Sequence, residues 1–270
     1  MSDSPAGGDL EPRSVVNARG RRLFVCEGDV RGERLVQAHG DLNGGSLRLW
    51  RMLAEGRPWD LVVDVGANYG EMVLGANYTG SPRMVAFEPS SEIAEMLRKS
   101  VAESGLGVEV VEAAVSDRAG DVTLFRDLRW SGKSTLVAPN GSSVLSEQQS
   151  RAVTLGEYFS DQDASSALIK VDVEGHEFAV LAGAVDLVES TPDIVFMIEV
   201  LHLSDSEIAS LSSDWQIFAL DTRFGRLVRV HGTVRGVSAT VRGGWCYPQD
   251  VVIVPQGRAL PWSMRSGKEG

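Results

Sequence analysis

The sequence Leu61-Val-Val-Asp-Val-Gly-Ala-Asn-Tyr-Gly70 runs from a short, largely apolar segment directly into a glycine-rich turn. A continuous apolar strand is typical of a parallel sheet that is covered on both faces. The turn gives a ligand access to the backbone because Gly66 has no side chain. Since open α/β sheets bind ligands at the carboxyl ends of their strands, this stretch predicts both the fold class and the position of the site.

The segments after this stretch alternate between predicted strands and predicted helices. Apolar or alternating runs predict strands at 84–88, 108–112, 121–125, 167–172, 194–199 and 216–220. Helical periodicity and capping residues predict helices at 91–104, 177–188 and 204–211, and a helix from the glycine turn to about Tyr78. Repeated βα units imply an α/β fold with a doubly wound, mainly parallel sheet. Predicted strands at 227–230 and 251–254, with no helix between them, indicate an antiparallel edge.

The chain is predicted to form one main domain with an extension before it. Residues 59–260 hold the βα units, and residues 14–58 add a strand at 22–26 and a helix at 41–55. The tails 1–13 and 261–270 are expected to be flexible. The polar, Gly/Ser-rich stretch 126–150 is expected to be a long loop, which is often functional or mobile.

The composition limits the partners. The 270 residues carry a net charge of −11, and no Lys/Arg-rich run supplies the basic surface that nucleic acid or an anionic membrane would require. The two cysteines, Cys26 and Cys246, form no CxxC pair, so neither a zinc site nor a redox dithiol is indicated. With no signal peptide and no long apolar segment, we expect a cytoplasmic protein without membrane insertion.

A carboxylate follows the second predicted strand of the sheet. Glu88, followed by Pro89, lies at the strand's carboxyl tip, where it can accept hydrogen bonds from both ribose hydroxyls of an adenosine ligand. Asp64 precedes the glycine turn, where it could orient a ligand's amino group. The turn has GxxxG spacing, not the GxGxxG of a dinucleotide fold. Taken singly, the turn and Glu88 could each be purely structural.

Lys170, Asp172 and Glu174 alternate along the fourth buried strand, so their side chains project to one face. A lysine buried in a central strand needs a partner, and either Asp172 or Glu199 of the next strand could supply it. The group could be a structural ion pair. Alternatively, Asp172, Glu199 and His202 could line the pocket of a second substrate.

Two further interpretations concern His176 and a metal. His176 begins the next predicted helix, and we expect it to have a solvent or packing role. Asp172 and Glu199 could hold a divalent cation, but one pair of carboxylates is too little to predict a metal. The string Gly132-Lys-Ser-Thr135 is not a phosphate loop, because Asp127 stands where that motif requires glycine.

The sequence resembles the FkbM family of S-adenosylmethionine-dependent methyltransferases. The matching pieces occur in the family's order: Val63-Asp-Val-Gly-Ala-Asn-Tyr-Gly70, Val85-Ala-Phe-Glu-Pro89, Glu112-Ala-Ala-Val-Ser-Asp117, Leu168-Ile-Lys-Val-Asp-Val-Glu-Gly-His-Glu177 and Ile198-Glu199. The resemblance implies a class I methyltransferase fold, which is Rossmann-like, with S-adenosylmethionine as cofactor and S-adenosylhomocysteine as product. It also implies O-methylation of a hydroxyl on a sugar, a glycolipid or a polyketide natural product.

The resemblance also implies roles for individual residues. Asp64, Gly66 and Asn68 would face the methionine part of the cofactor, Glu88 would bind the ribose, and Ala113, Ala114 and Val115 would lie near the adenine. Ser134 of the long loop could touch the site, and Trp130 could cover it or simply pack on the surface. The full expected cofactor-binding set is Asp64, Gly66, Ala67, Asn68, Tyr69, Gly70, Glu88, Pro89, Ala113, Ala114, Val115, Ser134 and Asp172.

Methyl transfer to an alcohol needs a base within hydrogen-bond reach of the hydroxyl. Asp172 is the first candidate and His202 the second, with Lys170 and Glu199 completing the expected catalytic set. No metal is expected. The acceptor is expected to be a small molecule or glycoside, and a homodimer is one open arrangement. The alternatives are an NAD-dependent oxidoreductase and a non-catalytic protein that binds S-adenosylmethionine.

Overall fold

The structure, a computed structural model, describes residues 13–138, 145–230, 244 and 246–260. Its strands are β1 Ser14–Val16, β2 Arg22–Phe24, β3 Leu61–Val65, β4 Arg83–Phe87, β5 Val108–Val111, β6 Ala114–Val115, β7 Gly120–Asp127, β8 Leu145–Val153, β9 Ser166–Val171, β10 Asp193–Glu199, β11 Trp215–Asp221, β12 Arg226–Val230 and β13 Cys246–Pro255. Its α-helices are α1 Val30–Gln37, α2 Gly44–Glu55, α3 Ser91–Ser104, α4 Leu155–Tyr158, α5 Glu177–Ala182, α6 Val185–Ser190 and α7 Asp205–Asp214. A short 3-10 helix spans Ser131–Lys133.

Eight strands form the central sheet, in the order β12-β11-β13-β10-β9-β3-β4-β5. Five consecutive strands of this order run parallel to one another, namely β10, β9, β3, β4 and β5. In contrast, β13 pairs antiparallel with both β10 and β11. Buried apolar clusters cover both faces of the sheet. The predicted doubly wound, mainly parallel sheet with an antiparallel edge is therefore confirmed.

A row of ionisable side chains crosses the sheet near the carboxyl ends of its parallel strands. Asp64 of β3 is in register with Lys170 of β9, and Glu199 of β10 is in register with Asp250 of β13. Leu168 lies two residues before Lys170, and Val252 lies two residues after Asp250. Both apolar residues belong to the core cluster that contains residues of α2. Because side chains alternate along a strand, Lys170 and Asp250 point toward that same side.

The predicted helix from the glycine turn to Tyr78 is wrong. Residues 68–75 form consecutive turns instead of a regular helix. The carboxylate of Asp64 accepts a hydrogen bond from the backbone N–H of Val73 at 3.1 Å. A side chain that takes a backbone donor in this way competes with the regular helical ladder.

The predicted helix 177–188 is divided into α5 and α6 at Gly183. A Cβ at Gly183 would lie only 2.0 Å from the carbonyl oxygen of Ser116, and the N–H of Gly156 donates to the carbonyl of Gly183. The chain therefore passes so close to its neighbours that only glycine fits there. Neither contact could be read from helical periodicity, because Ser116 and Gly156 are distant in sequence.

The predicted loop 126–150 is partly a strand. Residues from Leu145 belong to β8, which pairs antiparallel with β7 and parallel with β6 in a separate three-stranded sheet. Residues 139–144 lie outside the described residues, as do the tail predicted at 261–270 and all but Arg13 of the tail predicted at 1–13.

The extension before the main domain contains more structure than predicted. Strand β2 occupies most of the expected segment 22–26 and pairs with β1, and α2 forms within the expected helix 41–55. The additional helix α1 begins at the N-cap Asp29, whose side chain accepts from two backbone N–H groups. Within the described part of the chain, no helix is long and apolar enough to cross a membrane.

Candidate active site

One cavity of about 580 Å³ opens at the carboxyl ends of β3, β4, β9 and β10. Gly66, Glu88, Asp172 and Glu199 come from these four strand ends, and residues 130–136 form another part of the wall. The volume falls in the range of small-molecule sites. The position agrees with the general placement of ligands in open α/β sheets.

The structure brings most of the expected site residues to this cavity. Those that line it are Gly66, Asn68, Glu88, Pro89, Ala113, Ala114, Val115, Ser134, Asp172, Glu199 and His202. The expected residues that do not line it are Asp64, Ala67, Tyr69, Gly70 and Lys170. These five residues are buried, and they support the residues that line the cavity.

Gly66 is required by the packing of two strand ends. Its φ is +77°, and a Cβ there would lie 1.9 Å from the carbonyl oxygen of Asp172. The N–H of Asp172 also donates to the carbonyl of Val65. Gly66 thus fixes the distance between the turn after β3 and the carboxylate that follows β9.

Glu88 is fixed on both sides by backbone donors. The N–H of Asn68 donates to Oε2 and the N–H of Ser90 donates to Oε1, each at 2.9 Å. The side chain is almost fully buried, and this burial raises its pKa to about 7. Each carboxylate oxygen keeps a further acceptor position, so Glu88 suits a ligand with paired hydroxyls such as a ribose.

Lys170 and Asp172 form the expected ion pair, with Lys170 Nζ 3.2 Å from Asp172 Oδ2. The second partner of Lys170 is Asp250 Oδ1 at 3.4 Å, not Glu199. Asp250 also accepts a hydrogen bond from Ser46 Oγ. Because β13 inserts antiparallel beside β10, it places Asp250 next to the lysine, a contact that the order of the βα units did not predict.

The ion pair determines the charge of Asp172. Burial alone would raise the pKa of Asp172, but the ammonium of Lys170 outweighs burial and holds that pKa below its ordinary value. Burial also disfavours the Lys170 ammonium, but the carboxylates of Asp172 and Asp250 raise its pKa in return. Asp172 therefore faces the cavity as a carboxylate.

Three further ionisable groups, His202, Glu174 and Glu199, meet in the wall of the same cavity. His202 Nε2 lies 2.6 Å from Glu174 Oε2 and 3.9 Å from Glu199 Oε2. Burial, together with the nearby negative charge of Asp172, raises the pKa of Glu174 to about 8 and that of Glu199 to about 9. Within the described residues these three side chains offer ligand atoms that all lie within 4.8 Å of one another.

Glu174 was not selected from the sequence as a site residue, although it had been placed on the face of Lys170 and Asp172. The structure places it in the loop after β9 with a φ of +54°, in the left-handed region. This backbone conformation is uncommon for a residue with a long side chain. It accompanies the close contact of the Glu174 carboxylate with His202.

The extension before the main domain forms one wall of the cavity, which sequence reasoning missed. Asp29 Oδ2 accepts hydrogen bonds from Tyr69 Oη at 2.6 Å and from Ser131 Oγ at 2.7 Å. Arg31 Nη1 donates to Asn68 Oδ1 at 2.8 Å. Asp29 therefore joins the glycine turn to the 130–136 segment, and Tyr69 serves as an anchor outside the cavity.

The 130–136 segment closes another side of the cavity. Trp130 lines it, and the guanidinium of Arg34 lies 4.8 Å from the Trp130 ring centre. Thr135 Oγ1 donates to the carbonyl of Glu174 at 2.9 Å, which ties the segment to the loop after β9. Trp130 therefore lines the cavity, which is compatible with the covering position, one of the two positions that the sequence left open.

His176 lies in the cavity wall, where it contacts Ser116 of a distant element. Its Nε2 is 2.9 Å from Ser116 Oγ, and Ser116 follows the three residues expected near an adenine. Burial lowers the pKa of His176, which favours its neutral form. No local pattern indicated this contact, since the two residues come from distant elements.

The amino-acid sequence is similar to those of known methyltransferases. The family described as "Methyltransferase FkbM domain" matches residues 64–224. Hexuronic acid methyltransferase AglP of Haloferax volcanii is 24% identical over 194 residues, which cover 69% of this chain and 75% of that protein.

Two solved methyltransferase structures are similar at low sequence identity. An O-methyltransferase from Bacillus cereus in complex with S-adenosylhomocysteine has 14% identity and a TM-score of 0.42, and the match covers 79% of this chain and 80% of the other. Precorrin-6y C5,15-methyltransferase from Geobacter metallireducens has 11% identity and a TM-score of 0.41, over 87% of this chain and 97% of the other.

Proposed function

Because this chain belongs to the FkbM methyltransferase family and is an S-adenosylmethionine-dependent methyltransferase with the class I fold, we propose that it methylates a hydroxyl of a sugar, glycoside or related small molecule. S-adenosylmethionine supplies an electrophilic methyl group next to the acceptor oxygen. The protein must hold that oxygen about 3 Å from the methyl carbon and in line with the breaking bond.

The observation that carries the proposal is the position of Glu88 and Asp172 in one cavity. Glu88 Oε1 and Oε2 are oriented by Ser90 and Asn68, which leaves acceptor positions for the ribose hydroxyls. Asp172 lines the same cavity as a carboxylate beside the Lys170 ammonium. Ribose binding at one end and a hydroxyl acceptor at the other suit methyl transfer to an alcohol.

Asp172 is proposed as the group that accepts the proton of the acceptor hydroxyl. Lys170 does not line the cavity, so it acts through Asp172 as a positioning residue. Gly66 contributes to the same placement, because the backbone of Asp172 packs directly against it. The carboxylate is therefore held in one position by a buried cation and a neighbouring strand end.

The acceptor class is proposed from the cavity wall and from the relative named above. Glu174, Glu199, His202 and Gln249 provide hydrogen-bonding groups at the Asp172 side of the cavity, and they suit a ligand with several hydroxyls. Hexuronic acid methyltransferase AglP supports a sugar by its name. We further propose a cytoplasmic enzyme of glycoside or natural-product biosynthesis. Its net charge of −11 supports an acceptor other than nucleic acid.

The decisive experiment combines cofactor binding with turnover. S-adenosylhomocysteine should raise the melting temperature whereas NADH should not, because ligand that binds the folded state stabilises it. Incubation with methyl-labelled S-adenosylmethionine and a panel of hexuronic acids, hexoses and glycosides should give a methyl ether that mass spectrometry identifies. A melting shift with NADH alone would support the oxidoreductase alternative. Cofactor binding with no product from any acceptor would support the non-catalytic one.

The oligomeric state is a separate question. A homodimer is one open arrangement, and size-exclusion chromatography with light scattering measures the mass directly. A mass of 29.1 kDa at all concentrations would show a monomer and exclude the homodimer.

A further inference from the structure

We propose that Glu174, Glu199 and His202 form a binding site for one divalent cation, with Mn²⁺ as the best match, at the acceptor side of the cavity. The existence of the site does not depend on the proposed function. Its role in activating the acceptor hydroxyl does rest on that function. Nothing else within the described residues places a histidine and two carboxylates so close together.

The geometry is near that of a metal site. The three ligand atoms lie within 4.8 Å of one another, and Glu174 Oε2 and His202 Nε2 are already 2.6 Å apart. Neighbouring ligands around an octahedral cation lie about 3 Å apart, since each is about 2.1 Å from the ion. A small rotation of the Glu199 or His202 side chain would bring the set to that spacing.

An independent observation comes from Glu199. The residue is 4% exposed, and its Oε2 accepts no hydrogen bond from an N–H or O–H group of the described residues, whereas Oε1 accepts from Gln249 at 3.3 Å. The Asp172 carboxylate also lies beside the Glu199 carboxyl group. Oε2 is the atom that faces His202. A buried carboxylate oxygen without a partner is costly, and a bound cation would satisfy it.

No lysine or arginine side chain of the described residues is paired with the two proposed carboxylate ligands. Lys170 is engaged by Asp172 and Asp250, and no Lys or Arg of the described chain forms an ion pair with Glu174 or Glu199. Two acidic side chains therefore meet beside a histidine whose side chain is itself half exposed. A divalent cation would bind both acids in their deprotonated form and neutralise their charges.

The ligand types select among metals. Carboxylate oxygens suit Mg²⁺, Ca²⁺ and Mn²⁺, whereas an imidazole nitrogen suits later transition metals and Zn²⁺. Mn²⁺ accepts both, so two carboxylates with one histidine fit it better than they fit Mg²⁺. Three protein ligands leave coordination positions open toward the cavity, where an acceptor hydroxyl could bind and lose its proton more easily.

This proposal replaces the expectation that no metal takes part. That expectation considered only the pair Asp172 and Glu199. The structure commits Asp172 to Lys170 and supplies Glu174 and His202 as additional ligands for Glu199. The candidate set therefore grows from one pair of carboxylates to three groups from two adjacent strand ends.

The test uses the full-length, tag-free protein after treatment with EDTA and removal of the chelator. Mn²⁺ is titrated in, and the loss of the free-ion electron paramagnetic resonance signal counts bound metal. We expect one Mn²⁺ per chain and electron spin-echo modulation from one histidine nitrogen. Glu174→Gln and His202→Ala should each weaken Mn²⁺ binding by at least tenfold.

His176→Ala is the matched control, because His176 lines the same cavity but contacts Ser116 instead of the proposed ligands. Its Mn²⁺ affinity should equal that of the wild type. A cooperative thermal unfolding transition, measured without any ligand, verifies that each variant is folded. If a variant does not fold, the nitrogen modulation in the wild-type protein still decides whether histidine is a ligand.

The outcomes separate the metal site from the function. Absence of stoichiometric Mn²⁺ binding, absence of nitrogen modulation, or wild-type affinity in both ligand variants would overturn the metal site. Methyl transfer that survives chelation would leave the proposed function intact while removing the metal from catalysis. Specific Mn²⁺ binding without methyl transfer to any acceptor would uphold the site and contradict the function.

Discussion

Gly66 and Asp172 meet at the carboxyl ends of two neighbouring strands, so closely that a Cβ on Gly66 would lie 1.9 Å from the carbonyl oxygen of Asp172. The glycine also has a φ of +77°, which disfavours other residues. The turn that ends β3 and the carboxylate that follows β9 therefore cannot move independently. This contact joins the part of the cavity that we propose for the cofactor to the part that we propose for the acceptor.

Gly66→Ala should destabilise the protein by more than backbone strain alone. The left-handed conformation costs a non-glycine residue roughly 1–2 kcal/mol, and the clash with Asp172 adds to that. Gly28→Ala is the matched control, because Gly28 has a φ of +79° but a Cβ added to it would meet no atom within 4 Å. Urea unfolding compares the two variants. Equal losses of stability would show that the contact with Asp172 is not important.

Glu88→Ala should weaken S-adenosylhomocysteine binding by about 100-fold or more. Hydrogen bonds to a charged group contribute about 1.5–3 kcal/mol each, and the ribose offers two. Isothermal titration calorimetry measures the change. Glu95→Ala, on the exposed face of α3, is the control and should bind as the wild type does. Wild-type affinity in Glu88→Ala would remove the ribose assignment.

The raised pKa of Glu88 predicts a pH dependence of stability in the ligand-free protein. Its pKa is about 7 when folded, against an ordinary value of 4.5, so the folded state holds its proton more tightly. Stability should therefore fall as pH rises from about 4.5 to about 7, with a contribution on the order of 3 kcal/mol.

The variant Glu88→Gln tests this pH dependence of stability. It removes one titrating group and keeps the shape of the side chain, so the difference in unfolding free energy between variant and wild type isolates Glu88 from the other buried acids. The variant should gain stability relative to the wild type as pH rises through this interval. A difference that does not change between about pH 4.5 and about pH 8 would contradict the raised pKa.

Asp172→Asn should reduce turnover by at least 100-fold and leave cofactor binding nearly unchanged. The amide cannot accept the hydroxyl proton, and general-base catalysis contributes about 100- to 10,000-fold. Single-turnover assays with a saturating acceptor measure the rate, and calorimetry measures binding. Asp117→Asn, on an exposed carboxylate away from the Lys170 ion pair, is the control. A wild-type rate in Asp172→Asn would exclude Asp172 as the base.

Lys170→Met should be strongly destabilising, by about 3–5 kcal/mol, because it leaves the buried carboxylates of Asp172 and Asp250 without their cation. The double variant Lys170→Met/Asp250→Asn should recover part of that loss, since one of the two uncompensated charges is then removed. Urea unfolding of the two single variants and the double variant measures the coupling free energy between Lys170 and Asp250. Strictly additive losses would show that Lys170 and Asp250 do not interact.

Much of the fold could be predicted because it depends on local patterns. The apolar run Leu61–Val65, the following glycines and the strand that ends before Glu88 are each readable in a few residues. Their βα order implies a parallel sheet, and a parallel sheet places its strand ends together. The structure places Gly66, Asn68, Glu88 and Asp172, which the sequence predicts as site residues, in the wall of one cavity.

The two errors in predicted helices have a common cause, which is a contact with a residue outside the affected segment. Asp64 takes the N–H of Val73 and prevents a regular helix after the glycine turn. Gly183 is pressed against Ser116 and divides another predicted helix. Neither competitor is visible in the periodicity of the affected segment, because periodicity reports which residues face the core and not which donors are taken by other elements.

The sequence by itself indicated the strand, the glycine turn and the carboxylate after the next strand of the proposed cofactor site, since each of these parts is readable in a few neighbouring residues. Only the tertiary structure decided the partners on the acceptor side. The antiparallel strand β13 inserts between β10 and β11 and delivers Asp250 to Lys170, and the loops after β9 and β10 bring Glu174 to His202. The physical reason is that a buried charge is stabilised by whichever opposite charge the packed chain brings within a few ångströms, irrespective of its position in the sequence.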